Sequence, residues 1–600
     1  MHKISKKRID LFLSFWSYIT IRRKKQSFLV VLFMVLSSFS EVFTIGAILP
    51  FLSVLVDPEV VYSHTIAQPF VEYLEINSPK EIVLPITLTF IAIVLTTGVI
   101  RLILLYITMR FSEALGMDLS INIYRRTLYQ NYATHIEHNS SEAIDGIVTK
   151  INTVIGGVIS PVMLLVSSVF IFVGIVFVLL TVNFEISIIA FIFSGLIYWM
   201  VHNYTHNRIH YNSKCIADKS IKIIKLLQES LGGIRDVLID SSQEFYCNIY
   251  RKSDSSLRIA RSNSLFIKSS PRYVIEILAM SSIASLAYFM SMEQQDNNDA
   301  IASFVPTIGA FTLGMQRLLP VIQQIYGSLI DIKMSHHSFE NVINLLERPL
   351  LYNLNQQKNP IPFKNNITLK GVGFRYATDL DWIFKEINLE LTKGERVGFI
   401  GKTGCGKSTL LDIIMGLLNS TTGKLMVDGL VVTAENIDAW QSHVAHVPQS
   451  IFLSDRTIEE NIAFGEGKDD IDHGRVEQVA KLSQASIFIE NLPNKYQTFV
   501  GEHGVRFSGG QCQRIGIARA LYKQADVIIL DEATSALDIE TEAKIMDSMY
   551  ELDSNLTVLI IAHRISTLKK CDRIVELGSG GILRIGKYRN FIDKGGSEIQ

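Results

Sequence analysis

Six long apolar stretches crowd into the first 330 residues, near 26–56, 81–107, 154–181, 183–203, 271–292 and 301–329. Each is about long enough to cross a hydrocarbon core as a helix rising ~1.5 Å per residue. One such run could be a buried helix of a soluble domain; six in succession argue against that and predict a bundle of spanning helices. The surplus shows in the whole chain of 600 residues, which is 48% hydrophobic and has a mean hydropathy of +0.26. That length also calls for at least two folding units.

The loops set the orientation. The segment from Asp57 to Pro79 carries Asp57, Glu59, Glu72 and Glu75 but no Lys or Arg, and Ser291 to Ala300 is equally free of them. The N-terminus and the connections 108–153 and 204–270 are rich in both, so these face the cytosol by the positive-inside rule. Both connections are polar and helical in pattern, which predicts spanning helices that continue well out of the membrane. Their turning points, near His135 to Gly146 and Leu231 to Asp240, are where contacts with a cytosolic unit are expected. Residues 1–25 read as an interfacial helix with a basic flank: Leu11, Phe12, Phe15, Trp16 and Ile19 lie near one helical face, and Arg22, Arg23, Lys24 and Lys25 follow. No cleavable signal peptide is expected there. The membrane domain is read as 26–332.

From 333 to 366 the chain turns polar and is punctuated by Pro349, Pro360 and Pro362, which reads as a linker. An α/β domain is expected over 367–600, beginning with strand-like alternation from Ile367 to Tyr376. Inside it, Gly401-Lys402-Thr403-Gly404-Cys405-Gly406-Lys407-Ser408 is a complete phosphate-binding loop, between an apolar strand pattern at Val397, Phe399 and Ile400 and a helix pattern from Ser408 to Leu418. Its glycines let backbone N–H groups turn toward phosphate, the helix N-terminus adds its positive dipole end, Lys407 reaches the terminal phosphates and the Ser408 hydroxyl can ligand Mg²⁺. Val527-Ile-Ile-Leu-Asp531-Glu532 is an apolar strand ending in two carboxylates, Asp531 for the Mg²⁺ shell and Glu532 to polarise an attacking water. Phe507-Ser508-Gly509-Gly510-Gln511 opens a helix-like run and forms a second phosphate-binding end that lacks its own lysine. One chain thus carries two half-sites.

These motifs, in this order over roughly 366–590, resemble the nucleotide-binding domain of an ABC transporter. The resemblance implies that Tyr376 stacks on adenine, that Gly401 to Ser408 with Thr409 is the Walker A region, and that Gln449 in Val447-Pro448-Gln449 senses Mg²⁺ and the membrane domain. It implies further that Phe507 to Gln511 is the signature motif, with Phe507 where leucine is usual. Asp531 and Glu532 then close the Walker B strand, Ser535 to Asp538 form the D-loop, His563 is the switch histidine, and Glu502 lies in the segment that touches the opposite subunit. Because the signature motif serves the other domain's phosphate loop in this family, a chain with one membrane domain and one motor is expected to work as a dimer, here a homodimer, with ATP and Mg²⁺. The expected fold is therefore an α-helical transmembrane bundle of six spans with long intracellular helices, followed by an α/β P-loop ATPase domain. The expected place is a bacterial inner membrane, with the ATPase in the cytoplasm.

Ionisable residues inside apolar spans are costly and therefore informative. Glu41, Arg101, Arg272, Glu276 and Arg317 qualify. Two readings stand: the carboxylates pair internally with the arginines, or Arg101, Arg272 and Arg317 line a polar cavity for an anionic headgroup, guanidinium being a bidentate partner of phosphate. Short stretches, Phe39 to Phe43, Pro50-Phe51, Arg317 to Pro320 and Glu542 to Asp547, resemble bacterial flippases of lipid-linked oligosaccharides, which implies an amphipathic, pyrophosphate-linked cargo. Another lipid, a drug, a peptide or an ATP-gated channel are the alternatives. Net charge is −1, which gives no basic field for nucleic acid. The five cysteines, Cys215, Cys247, Cys405, Cys512 and Cys571, fall in segments read as cytosolic and are expected as free thiols.

Overall fold

A computed structural model describes residues 11–592 except 57, 64–67, 74–75, 138–139, 183, 294–297, 349–360, 378, 502–503, 534–536, 553–554 and 563–564. The chain divides into two units, Met1–Gln130 with His138–Pro349, and Asn131–Glu137 with Leu350–Gln600.

In the first unit each expected span lies on a long helix. These are α1 (Ile21–Val56), α2 (Val83–Leu128), α3 (Ser160–Val182), α4 (Phe184–Gly232), α5 (Gln243–Glu293) and α6 (Asn298–Met334). Among the described residues, Ile21–Leu55, Pro79–Leu128 and Ser141–Val178 are long and apolar enough to cross a membrane. At 46, 49 and 51 residues, α2, α4 and α5 are far longer than a bilayer requires, as the polar helical connections predict. α1 packs on α2 and α3, α3 on α6, and α4 on α5. Small residues bring the helices close, as expected where lipid-like surfaces offer little hydrophobic drive. A Cβ on Gly174 would lie 2.2 Å from Val42 Cγ2, and one on Gly157 would lie 1.8 Å from Ser335 Oγ. Gly157 sits in the second of two π-helical turns, Gly146–Lys150 and Ile155–Ile159, that interrupt the approach to α3.

The stretch read as a linker begins inside this unit. Residues His336–Glu347 form α7, which buries Phe339, Val342, Ile343, Leu345 and Leu346. Its apolar residues recur at helical spacing between His, Asn, Glu and Ser, so the mean polarity of the stretch concealed an amphipathic helix. Phe339 receives the N-terminal helix, with ring centroids 5.1 Å from Phe12 and 5.3 Å from Phe15. Phe15 and Ile19 are buried, while Leu13 and Trp16 are exposed.

The second unit holds two sheets. An antiparallel one, in the order β2-β1-β4-β5, comprises β1 (Asn366–Phe374), β2 (Phe384–Thr392), β4 (Thr422–Val427) and β5 (Leu430–Val431). The other, in the order β10-β9-β3-β8-β7-β6, comprises β3 (Arg396–Ile400), β6 (Val444–Val447), β7 (Val527–Asp531), β8 (Thr557–Ile561), β9 (Arg573–Gly578) and β10 (Gly581–Gly586). Among the described residues of this sheet only β10 is antiparallel to its neighbour, and the parallel strands read as continuous apolar runs because both faces are covered. Trp440 is fully buried beneath Phe363, and its Nε1 donates to the Ile414 carbonyl at 2.7 Å. Ala133, from the short segment Asn131–Glu137, packs against the same cluster. Free thiols are found at all five cysteines.

Candidate functional site

Parallel strands end at a common edge, and the expected nucleotide residues gather there. The phosphate loop follows β3, Asp531 closes β7 and Gln449 stands two residues beyond β6. β8 joins them in register, with Ile561 opposite both Phe399 of β3 and Asp531 of β7.

The loop leads into α8 (Lys407–Ile414). Gly401 has φ +149°, and a Cβ there would meet the Leu577 carbonyl oxygen at 2.3 Å. Gly406, the N-cap of α8, has φ +94° and faces Ile383 so closely that a Cβ would lie 2.5 Å from its Cγ2. Both positions exclude side chains and leave the loop backbone free to wrap a phosphate. Lys407 is buried, and its Nζ donates to the carbonyls of Gly401 at 2.7 Å and Lys402 at 3.2 Å. That ammonium is thereby held over the loop. The donor set of backbone amides, a lysine and the Ser408 hydroxyl at a helix N-terminus fits a nucleotide triphosphate and its divalent cation.

Tyr376, 48% exposed, stands edge-on to Phe374 at 5.0 Å, with its hydroxyl 3.4 Å from Thr409 Oγ1. An aromatic face is thus offered one turn from the phosphate loop. Gln449 Nε2 donates to Glu532 Oε2 at 2.6 Å. Glu532 has φ +51°, in the left-handed region. Ser508 is the N-cap of α9 (Gly509–Tyr522); it accepts from the Gln511 N–H, and its own N–H donates to Gln511 Oε1 at 2.9 Å, a complete capping box. Asp538 accepts from the Thr541 N–H at 2.8 Å and from its hydroxyl at 2.7 Å, which holds its carboxyl below the usual range. Glu502, Ser535 and His563 lie outside the described residues.

Sequence reasoning missed Asp412. Burial, with the Asp531 charge as the second cause, pushes its carboxyl up to about 6. It stands four residues after Ser408 in α8, one turn along the same face, and that spacing was the available signal. Tyr132 of the Asn131–Glu137 segment senses the same neighbourhood: burial first, then Asp412 and Tyr376, raise its hydroxyl.

In the first unit, Glu41 is almost fully buried and holds two of the three expected arginines. Arg101 Nη1 lies 2.8 Å from Oε1 and Arg317 Nη1 lies 2.6 Å from Oε2. Three helices, α1, α2 and α6, meet on one carboxylate. Arg272 is paired apart from them, 4.0 Å from Glu276 on the next turn of α5.

Two family models match: ABC transporter transmembrane region over residues 27–312 and ABC transporter over 384–535. The heterocyst differentiation ATP-binding protein HepA of a Nostoc species is 28% identical over 585 residues, which is 96% of this chain and 93% of that protein. An ATP-dependent lipid A-core flippase of Saccharophagus degradans is 29% identical over 84% of each chain. A solved structure of a bacterial Atm1-family ABC exporter with ATP bound shares the fold at a TM-score of 0.75, with 20% identity and 96% of each chain covered.

Proposed function

This chain is an ABC transporter of the exporter type, and on that premise we propose what it moves and how its residues do so. Its membrane region and cytoplasmic ATPase domain are fused in one polypeptide, and ATP hydrolysis is coupled to transport. In our reading it works as a homodimer by alternating access and carries a lipid-linked, pyrophosphate-bearing oligosaccharide across a bacterial inner membrane.

The roles follow from the sheet edge. Tyr376 stacks on the adenine, the Gly401–Gly406 backbone and Lys407 hold the phosphates, and the Ser508-Gly509-Gly510 end of a second copy closes the site from the far side. Mg²⁺, when bound, neutralises phosphate charge, and Ser408, Gln449 and Asp531 would hold it. Glu532 takes the proton of the attacking water, and His563 serves as the switch histidine. Closure of two motor domains is transmitted to the spans by the intracellular helices, and hydrolysis reopens them.

The cargo reading is carried by one observation: Arg101 and Arg317, two cations on two helices, share the single anion Glu41. Both guanidinium groups stay partly exposed while their shared carboxylate is buried, which leaves donors for an anionic headgroup. Relatives named as lipid A-core flippases support an amphipathic lipid. The test is ATP-dependent translocation of a fluorescent pyrophosphate-linked oligosaccharide in proteoliposomes. Glu532→Gln abolishes both hydrolysis and movement, whereas Arg317→Ala leaves unstimulated hydrolysis and loses movement. Hydrolysis without movement of this lipid in the unaltered protein overturns the cargo and leaves the exporter.

A further inference from the structure

We propose that the helical rod leading into α3 carries a joint at its two π-helical turns, latched by the buried ion pair of Asp145 with Lys150 and moved by α7. The rod is continuous: Ser140–Asp145 is α-helical, Gly146–Lys150 is a π turn, Ile151–Val154 is α-helical, Ile155–Ile159 is a second π turn, and α3 follows. At the end of each π turn an N–H reaches back five residues, from Ile151 to the Gly146 carbonyl and from Ser160 to the Ile155 carbonyl. Each turn thus holds one residue more than an α-helix needs, a rare arrangement that is concentrated at functional positions.

The ion pair depends on the first turn. Asp145 and Lys150 are five positions apart, which puts them about 140° apart around an α-helix, and only a π turn stacks them on one side. The side chains of Lys150 and Asp145 are 5% and 0% exposed, with Nζ 3.5 Å from Oδ2. That oxygen has no hydrogen bond among the described residues, while Oδ1 accepts one from Ser220 of α4 at 3.4 Å. Charge alone therefore holds the pair. Loss of the π turn would leave both groups buried and apart, a penalty that favours the latched state.

The helix α7 is placed to move this joint. It packs along Gly146–Lys150 and Ile151–Val154, and α6 packs on Ile155–Ile159. Gly146 and Gly157 are notches on that face: a Cβ on the first would lie 2.5 Å from Leu345 Cδ1, and one on the second 1.8 Å from Ser335 Oγ. Ser335 is the N-cap of α7 and Leu345 lies in its last turn, so each end of one helix grips one π turn. From the other side Gly116 of α2 comes so close that a Cβ would lie 2.0 Å from Ile155 Cδ1. With no slack in these contacts, a shift of α7 is taken up by the rod, which yields at its π turns. The chain runs on from α7 into the ATPase domain, so motion of that domain reaches this helix through the peptide itself.

The inference needs ATP to move this unit and does not depend on the proposed cargo. It is tested by hydrogen exchange on the full-length protein in nanodiscs, without nucleotide and with a slowly hydrolysed ATP analogue and Mg²⁺. Exchange in 146–160 is expected to speed about tenfold on binding. An unchanged rate there, with the phosphate loop protected by the bound analogue, overturns the proposal. Deleting Val148, which is 60% exposed, together with Gly156, which has open space around it, removes the extra residue from both turns. The rod becomes a regular α-helix with its flanks on their present faces, and Asp145 and Lys150 stand four positions apart. This variant is expected to bind the analogue without any response in the segment; a response equal to the parent's overturns the joint. Asp145→Asn combined with Lys150→Met keeps the chain length, should the shortened chain fail to fold. Its segment 146–160 is expected to exchange fast even without nucleotide, and a rate equal to the parent's overturns the latch.

Discussion

Asp412 shows how a single side chain can carry a pH dependence into the motor. Its carboxyl rises from 3.8 to about 6 because it is partly buried and faces Asp531. Between those values the folded protein keeps a proton that the unfolded chain has lost, so folding is penalised as pH climbs through this window and the penalty is complete above it. Asp412→Asn should therefore raise the unfolding midpoint of metal-free protein at pH 8 and lose that advantage near pH 4. A midpoint gap that does not change with pH would refute this account. The residue scale is also where the sequence was most and least legible. The phosphate loop announces itself in eight consecutive letters. The bond between Gln449 and Glu532 spans 83 positions and exists only because β6 and β7 are neighbours, which no local pattern reveals.

At the scale of elements, the six long helices follow from hydropathy and the α/β sheet from its apolar runs, because burial on all sides leaves no alternation to misread. α7 was hidden for the opposite reason: its buried residues are diluted by polar neighbours, and its periodicity shows only once a partner surface, Phe12 and Phe15, is known. The Glu41 cluster was legible as a set of charges but not as a junction. Arg317 lies 276 positions from the carboxylate it meets. With Glu41 only 3% exposed at its side chain, Glu41→Gln leaves two guanidinium groups confronting each other across α1, α2 and α6. Removal of one partner from a fully buried pair costs about 3–5 kcal/mol, and the partial exposure of both arginines makes the cost here smaller. The expected outcome is a fall of roughly 3–8 °C in the unfolding midpoint of the solubilised protein. Arg101→Gln should cost less, because it leaves Glu41 paired with Arg317. Equal losses in the two variants would mean that the carboxylate does not organise the junction.

At the scale of the molecule, the division into units does not follow the order of the chain. Asn131–Glu137 belongs to the ATPase unit although both of its flanks belong to the other, and Ala133 packs with residues that begin at Ile361. This bears on synthesis. Domains emerge and fold from the N-terminus as the chain is made, so the seven-residue tip leaves the ribosome more than two hundred residues before the surface that will cover it. The helices carrying it must wait until the later residues are made before Ala133 meets its packing partners. A fragment ending at residue 349 should therefore be cut by protease within 131–137, and the complete chain should be protected there. The second unit is thus assembled from two separate stretches of the chain, and it is complete only once both have been made.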